Sequence, residues 1–393
     1  MMEKEVYIIE GKRTAQGSFL GNFAQMSAPC LASKVMEDLL AKTSTNWEQI
    51  DQVILGQVLQ AGVGQAPARQ AALFANAPQS IPCTTVNKVC GSGLEAILIA
   101  AQRLMCQADS NKMMLAGGME NMSLAPVALL NTRVGMKLGA PSTVDLLSHD
   151  GLLDPYSKNS MGLCAEECAK KYNFTRSMQD EYAANSYKKA MEANKLGHFK
   201  AEITPIIIKD KKGDMIIEKD QGLDSVDFEK MKKIPCAFDR VNGTITAANA
   251  STINDGAAVI LLGGKEFQSK AKFKIRSYAY HAQNPLWFST APIESMQKAI
   301  KFAKLKLEDI DLFEINEAFS VVPMACIHEL KIPEERVNIF GGAVALGHPL
   351  GASGARIVVT LMNALEKRQK KFGLASLCIG GGEGLSMIIE KIK

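Results

Sequence analysis

Three residues with nucleophile or base chemistry sit in glycine-rich settings along this chain. Cys90 lies in TTVNKVCGSGLEAI, where a β-rich run ends and Gly91-Ser92-Gly93 leads into a helix. A sulfur near a helix N-terminus meets unpaired N–H groups and the positive end of the dipole, which favours thiolate. The flanking glycines let another molecule approach the backbone closely. His348 lies in NIFGGAVALGHPLGASGAR, on a loop opening a second helix, and is the one histidine of five with that context. A neutral imidazole can take a thiol proton, so Cys90 and His348 are a candidate nucleophile–base pair. Cys378 ends the run GLASLC, and the N–H groups of Gly380 to Gly382 just beyond it are unobstructed, as an oxyanion site requires. Asn316, in INEAFS, follows an apolar strand; its amide can hold a water or an oxyanion, or cap the next helix. Plain structural uses stand beside each reading: a core thiol for either cysteine, a packing or capping role for the histidine.

The elements that must position these residues come in two copies. Met36 to Gly56 and Met296 to Asn316 have equal length, and Glu48, Ile50 and Asp51 fall on Glu308, Ile310 and Asp311 at an offset of 260. Each copy reads as helix, turn and apolar strand. LAGGMENMS, from Leu115, aligns with CIGGGEGLS, from Cys378, at an offset of 263. Two matches in the same order suggest two related α/β halves. Strand-like and helical segments alternate in both, which favours parallel sheets covered by helices. Leu94, Ile97, Leu98 and Ala101 follow a helical spacing after Cys90, and Val358, Leu361, Met362 and Leu365 do so after His348. The stretch between the halves is richer in Lys, Asn, Asp and Met, and reads as a lobe inserted beside the site.

The chain has 393 residues, 47% hydrophobic and 22% charged, which fits a globular protein with a large core and excludes disordered and fibrous classes. A net charge of +4 is too small to suggest nucleic acid. No uninterrupted apolar run reaches the ~18–20 residues of a membrane span. The start, MMEKEVYIIEGKRT, reads as a first strand at Val6 to Glu10 rather than a signal peptide. Nine cysteines in a chain of this length fit a reducing, cytoplasmic compartment. Cys164 and Cys168 lie one helical turn apart without a second ligand pair, so no metal site is expected there. A P-loop, a G-x-S-x-G elbow and an H-E-x-x-H motif are all missing.

Together VNKVCGSGLEAI, NIFGGAVALGHPLGASG and GLASLCIGGGEGLS resemble the three signature motifs of the thiolase family. NEAF and GGMENMS resemble two further hallmarks, and GTITAANASTINDGAA resembles the family's coenzyme A-binding segment. The resemblance spans essentially the whole chain. It implies two βαβαβαββ halves in a five-layer αβαβα core, with residues 1–120 and 248–268 as the first half, 121–247 as an inserted loop domain and 269–393 as the second half. It also implies a homotetramer built as a dimer of dimers, and a role in fatty-acid metabolism.

By the same resemblance, Cys90 is acylated, His348 activates it, and Asn316 holds a water in an oxyanion hole lined by His348. Cys378 exchanges the α-proton of a second acyl-CoA, and Gly380 and Cys90 supply N–H groups to a second oxyanion hole. Leu152, Met161, Phe238, Ala247, Ala250, Ser251, Ala318 and Phe319 match coenzyme A-contacting positions, and Phe288 borders the acyl pocket. The implied reaction joins two acetyl-CoA into acetoacetyl-CoA and CoA, with no metal and no cofactor beyond these CoA thioester substrates. Short-chain members usually carry His where this chain has Ser160, and often Met where it has Phe288. Met161 favours a short-chain pocket, while those two departures leave open a broader 3-ketoacyl-CoA thiolase. A carrier-protein-dependent synthase would lack Cys378, and a non-enzymatic acyl-CoA-binding protein should have lost one of the three reactive residues.

Overall fold

The computed structural model describes residues 5–106, 111–135, 142–209 and 213–393. The first half runs β1 (Tyr7–Thr14), α1 (Ala28–Thr43), β2 (Ile50–Gly56), α2 (Pro67–Phe74), β3 (Cys83–Val86), α3 (Ser92–Cys106) and β4 (Met113–Asn121). After the lobe it closes with β5 (Asn254–Gly263). The lobe carries α4 (Met161–Tyr172) and α5 (Arg176–Lys195). The second half repeats the order with β6 (Phe273–Ala282), α6 (Ala291–Phe302), β7 (Leu312–Ile315), α7 (Val321–Leu330), α8 (Leu350–Arg368), β8 (Phe372–Ile379) and β9 (Glu383–Lys391). Val337, bridged in parallel to Phe313, stands where the first half has β3.

Each half has a mixed sheet rather than the parallel one expected. In the first, β3, β2 and β4 are parallel, while β5 and β1 add on antiparallel. In the second, β7 and β8 are parallel and β9 and β6 antiparallel. The reason is local: β8 and β9 are joined by the Gly380–Gly382 turn alone, and a connection that short permits only an antiparallel pair. The halves meet where β1 pairs with β6 through Tyr7–Lys274 and Ile8–Phe273, so the strands form one continuous ladder. The first strand runs further than its apolar core suggested, to Thr14.

Helices α3 and α8 pack against each other between the two sheets, and α1 with α2 and α6 with α7 cover the outer faces. This is the five-layer arrangement. A middle-layer helix has protein on every side, which explains why α8 is buried from Leu350 through Leu365. The same explains 89–106, the one span among the described residues long and apolar enough to cross a membrane; most of it is buried in the core. The two helices cross at glycines. A Cβ on Gly93 would lie 2.8 Å from the Gly351 carbonyl, and one on Gly354 would lie 2.5 Å from the Leu94 nitrogen. That close crossing brings the two helix N-termini, and the loops before them, to one place.

The lobe is tied to both halves by buried charge. Arg13 on β1 donates to Glu202 at 2.6 Å and to Asp220 at 2.7 Å. Glu317 accepts from Tyr182 and Ser186 of α5, and from Asn338 and the Val344 N–H of the second half.

Candidate active site

The chain leaves β3 and reaches α3 through a strained turn. Val89 has φ +47°, a left-handed conformation that β-branched residues rarely adopt. Three bonds hold it there. Asn87 Oδ1 accepts from the Val89 N–H at 2.9 Å, Ser92 Oγ donates to the Val89 carbonyl at 2.7 Å, and Ser92 Oγ accepts from the Lys88 N–H at 2.8 Å. Such strain costs roughly 1–3 kcal/mol and marks functional turns. Here it delivers the half-buried Cys90 to the head of α3.

The Cys90 sulfur lies within reach of its own N–H and of the Gly380 N–H. Burial nonetheless pushes the thiol up to about 11. The expectation of a helix-stabilised thiolate is therefore reversed. The helix end and two N–H groups pull toward thiolate, but removing the sulfur from water outweighs them. Cys90 rests as a thiol and needs a base.

His348 is that candidate. It is buried on the loop before α8, and its N–H donates to Asn254 Oδ1 at 3.1 Å. The ring Nδ1 lies 2.5 Å from Ser353 Oγ. The single hydroxyl hydrogen of Ser353 goes to the Pro349 carbonyl at 2.8 Å. Ser353 must then accept from Nδ1–H, which leaves the lone pair on Nε2. That Nε2 is buried and has no hydrogen-bond partner within the protein. Burial, aided by the charge of Arg356, pulls the imidazole down to about 3, so it is neutral and able to accept a proton.

Asn316 follows β7 and is fully buried, with its Nδ2 3.5 Å from His348 Nδ1 and its Oδ1 3.4 Å from Arg356 Nη2. It caps nothing: α7 begins only at Val321, with no side-chain cap. Cys378, second from the end of β8, is buried, and burial followed by the nearby Cys90 raises its pKa well above the ordinary thiol value. Both sulfurs cannot carry charge together cheaply. Beyond Cys378, Gly381 and Gly382 take φ +94° and +88°, which turns Gly380 so that its N–H faces Cys90.

The candidate acyl-CoA positions form a wall leading away from the two cysteines. Met161 heads α4, and its sulfur would lie 3.7 Å from a Cβ on Gly380. Phe288 is edge-on to Phe319, and Phe319 to Phe238, at centroid distances of 6.2 and 6.0 Å. Their exposure rises outward, from 2% through 8% to 36%. Ala318 accepts from the Ser251 N–H at 3.0 Å, and Ala250 bridges Phe319. Ala247 is exposed at the outer edge. Leu152 sits apart, packed with Cys90 against Val58, Leu59, Leu147 and Leu350. Ser160 caps α4 by accepting from Leu163 N–H at 3.4 Å. No cluster of three His, Cys, Asp or Glu suited to a metal occurs among the described residues.

Sequence reasoning missed Ser353, Asn254 and Glu120. Glu120 is buried and accepts from the N–H groups of Val58, Leu59 and Gly351 at 2.8–3.1 Å. Burial pushes its carboxyl up to about 7. Ser353 carried a weak signal, one helical turn beyond His348 in a motif already singled out. Glu120 and Asn254 lie in GGMENMS and GTITAANASTINDGAA, segments already singled out, but their partners are distant in sequence, so no role could be read for either.

Comparison with known proteins gives a consistent answer. Residues 6–266 match the model of the thiolase N-terminal domain, and residues 269–391 that of the thiolase C-terminal domain. The chain is 47% identical over 393 residues to the mitochondrial acetyl-CoA acetyltransferase of Mus musculus, covering 99% of this chain and 91% of that protein. It is 44% identical to the acetyl-CoA acetyltransferase of Candida albicans, covering 100% and 98%. Among solved structures, the acetyl-CoA acetyltransferase of Bacillus anthracis matches with a TM-score of 0.95 at 34% identity, over 99% of both chains. The Acat5 thiolase of Ascaris suum, in complex with coenzyme A, matches with a TM-score of 0.93 at 40% identity, over 99% of this chain and 100% of that one.

Proposed function

The chain belongs to the thiolase family, and on that premise we propose that it is an acetyl-CoA C-acetyltransferase, reversibly condensing two acetyl-CoA to acetoacetyl-CoA and CoA. The observation that carries the reading is the pairing of Cys90 with Cys378, with the Gly380 N–H on the Cys90 sulfur and His348 on the loop before α8, the helix that crosses α3 at its head.

The first step acetylates Cys90. His348 Nε2 takes the Cys90 proton as the sulfur attacks the thioester carbonyl. CoA leaves as its thiolate and takes the proton of Cys378. Neutral Cys90 and neutral His348 at rest support this order, because proton transfer and attack then occur together. The oxyanion that forms in this step faces His348 and a water held by Asn316.

The second step makes the carbon–carbon bond. Cys378, now a thiolate, removes the α-proton of a second acetyl-CoA. The resulting carbanion attacks the acetyl carbon on Cys90. The oxyanion of this acetyl group faces the N–H groups of Cys90 and Gly380. Cys90 leaves and recovers its proton from His348, so every group ends as it began. Transfer of the acetyl group from one thiol to another changes bond energy little, which makes the acetylation step readily reversible.

The deep placement of Phe288 against Phe319, beside Met161, supports a pocket for short acyl groups. Nine free cysteines support a reducing compartment such as the cytoplasm. Exposed Leu73, Phe74, Val127 and Leu129 supply apolar surface for the homotetramer we propose. The decisive experiment is a chain-length series of 3-ketoacyl-CoA substrates in the thiolysis direction. The reading predicts kcat/KM highest for acetoacetyl-CoA and falling with each added pair of carbons; a maximum at longer chains would replace it with the broader thiolase.

A further inference from the structure

The turn carrying Gly380 has no side chains of its own to hold it. Gly380, Gly381 and Gly382 are consecutive, and nothing lies within 4 Å of a Cβ on Gly381. Glycine backbone is the most costly to order. Yet the Gly380 N–H must stand in a fixed relation to the Cys90 N–H, although the two belong to different halves of the chain. One anchor is the Gln283 N–H, which donates to the Gly382 carbonyl at 2.9 Å. A second crosses between the halves. Lys88, two residues before Cys90, places its Nζ 2.5 Å from Glu383 Oε2, on the residue that ends the glycine turn. The Lys88 ammonium also lies 5.7 Å from the ring centroid of Tyr280 on β6.

The repeat makes this contact more than a surface pair. Glu383 occupies the place that Glu120 holds in the first half. Glu120 reaches across to the Gly351 N–H, three residues after His348. Glu383 reaches the other way, to the nucleophile turn. Each glutamate therefore binds the opposite half beside its reactive residue.

We infer that Lys88 and Glu383 are positioning residues: their ion pair clamps the glycine turn to the nucleophile turn and sets the spacing of the Gly380 and Cys90 N–H donors. This rests on the proposed thiolase reaction and adds to it a cross-half device. The pair is partly exposed, 23% for Lys88 and 35% for Glu383, so its contribution to global stability is small. Its effect falls on donor geometry, and hence on kcat rather than KM.

The test uses Lys88→Gln, Glu383→Gln, Lys88→Arg and the exchange Lys88→Glu with Glu383→Lys, in the full chain. Intact-mass measurement of Cys90 acetylation accompanies steady-state condensation, with circular dichroism to confirm folding. Loss of a whole oxyanion donor costs about 10²–10³ in kcat, so a displaced one should cost ~10-fold or more in each Gln variant, with KM within about twofold. Lys88→Arg should stay near wild type, and the exchange should recover most of what Lys88→Glu alone loses. The wild-type rate should fall in high salt more than that of the Gln variants, because a half-exposed pair is screened. Gln variants at the wild-type kcat, a raised KM with kcat intact, or an exchange no better than its single members would each overturn the clamp. A wild-type protein that never acetylates Cys90 would instead overturn the reaction beneath it.

Discussion

Glu120 and Glu383 occupy matching positions in the two halves, yet they live in different media. Glu120 is sealed in the core and satisfies three backbone N–H groups. Glu383 is partly in water and meets one ammonium. The difference follows from what comes next along the chain. After Glu120, β4 ends at Asn121 and the chain enters the lobe, while the carboxylate stays enclosed by the Val58–Leu59 backbone and the head of α8. After Glu383, β9 runs straight back along the sheet from a half-buried turn. The serines at the helix crossing are both buried, and they differ in task. Ser92 stitches the strained turn under Cys90, while Ser353 orients the ring of His348. A duplicated framework has kept its geometry and divided its chemistry. In the proposed reaction one half carries the nucleophile, and the other carries the imidazole and the second thiol.

That division can be broken most severely at the nucleophile. Cys90→Ser should lose both acetylation and condensation, by ~10⁴-fold or more, because a hydroxyl is a far weaker nucleophile at neutral pH. Peptide mapping of wild type after acetyl-CoA should find the added acetyl group on Cys90, and a label confined elsewhere would move the nucleophile. Asn316→Ala should come next, lowering kcat by about 10²–10³ with a smaller effect on KM. A variant within twofold of wild type would leave Asn316 no part in the oxyanion hole.

The two glutamates themselves sharpen the comparison through stability. Glu120→Gln puts an amide NH2 among N–H donors in a buried site and should cost roughly 2–4 kcal/mol in chemical denaturation. Glu383→Gln should cost under ~1 kcal/mol while still slowing turnover. Equal losses of stability would mean that the two halves are not buried differently in solution.

The smallest effect expected is an absence of pH dependence. His348 is pulled down to about 3 and Cys90 pushed up to about 11, so the neutral pair persists between them. The Cys90 acetylation rate should therefore be flat from about pH 5 to about pH 9, since neither reacting group titrates there. A rate rising through a pKa near ~7 would indicate an imidazole of ordinary pKa, protonated and idle below it, instead of one pulled down by burial.

Cys90, His348 and Cys378 were legible as candidates because the chemistry proposed for them demands glycine-rich turns next to helix and strand ends, and such turns are written in consecutive residues. The repeat was legible for a similar reason, at Glu48, Ile50 and Asp51 against Glu308, Ile310 and Asp311. The protonation of Cys90 was not. A helix N-terminus is a local feature, whereas the burial that overrides it comes from residues such as Leu59 and Leu350 on separate elements. The mixed sheet was missed because helix–strand alternation does not reveal where β5 and β9 insert. Lys88 and Glu383 stand 295 residues apart, and only the fold brings them together.

The central claim is that the two thiols do different work, and Cys378→Ala tests it most directly. Acetylation of Cys90 needs no α-carbon deprotonation, and the CoA thiolate can take its proton from water where Cys378 is gone, so the variant should still load from acetyl-CoA, more slowly than wild type. Carbon–carbon bond formation does need that proton removed, and the proposed reaction gives that task to Cys378. Intact-protein mass spectrometry should show the acetyl group trapped on the enzyme while acetoacetyl-CoA formation falls by more than the ~10²–10⁴ usual for one acid–base group. A folded Cys378→Ala protein that fails to acetylate, or that condenses near the wild-type rate, would contradict the account.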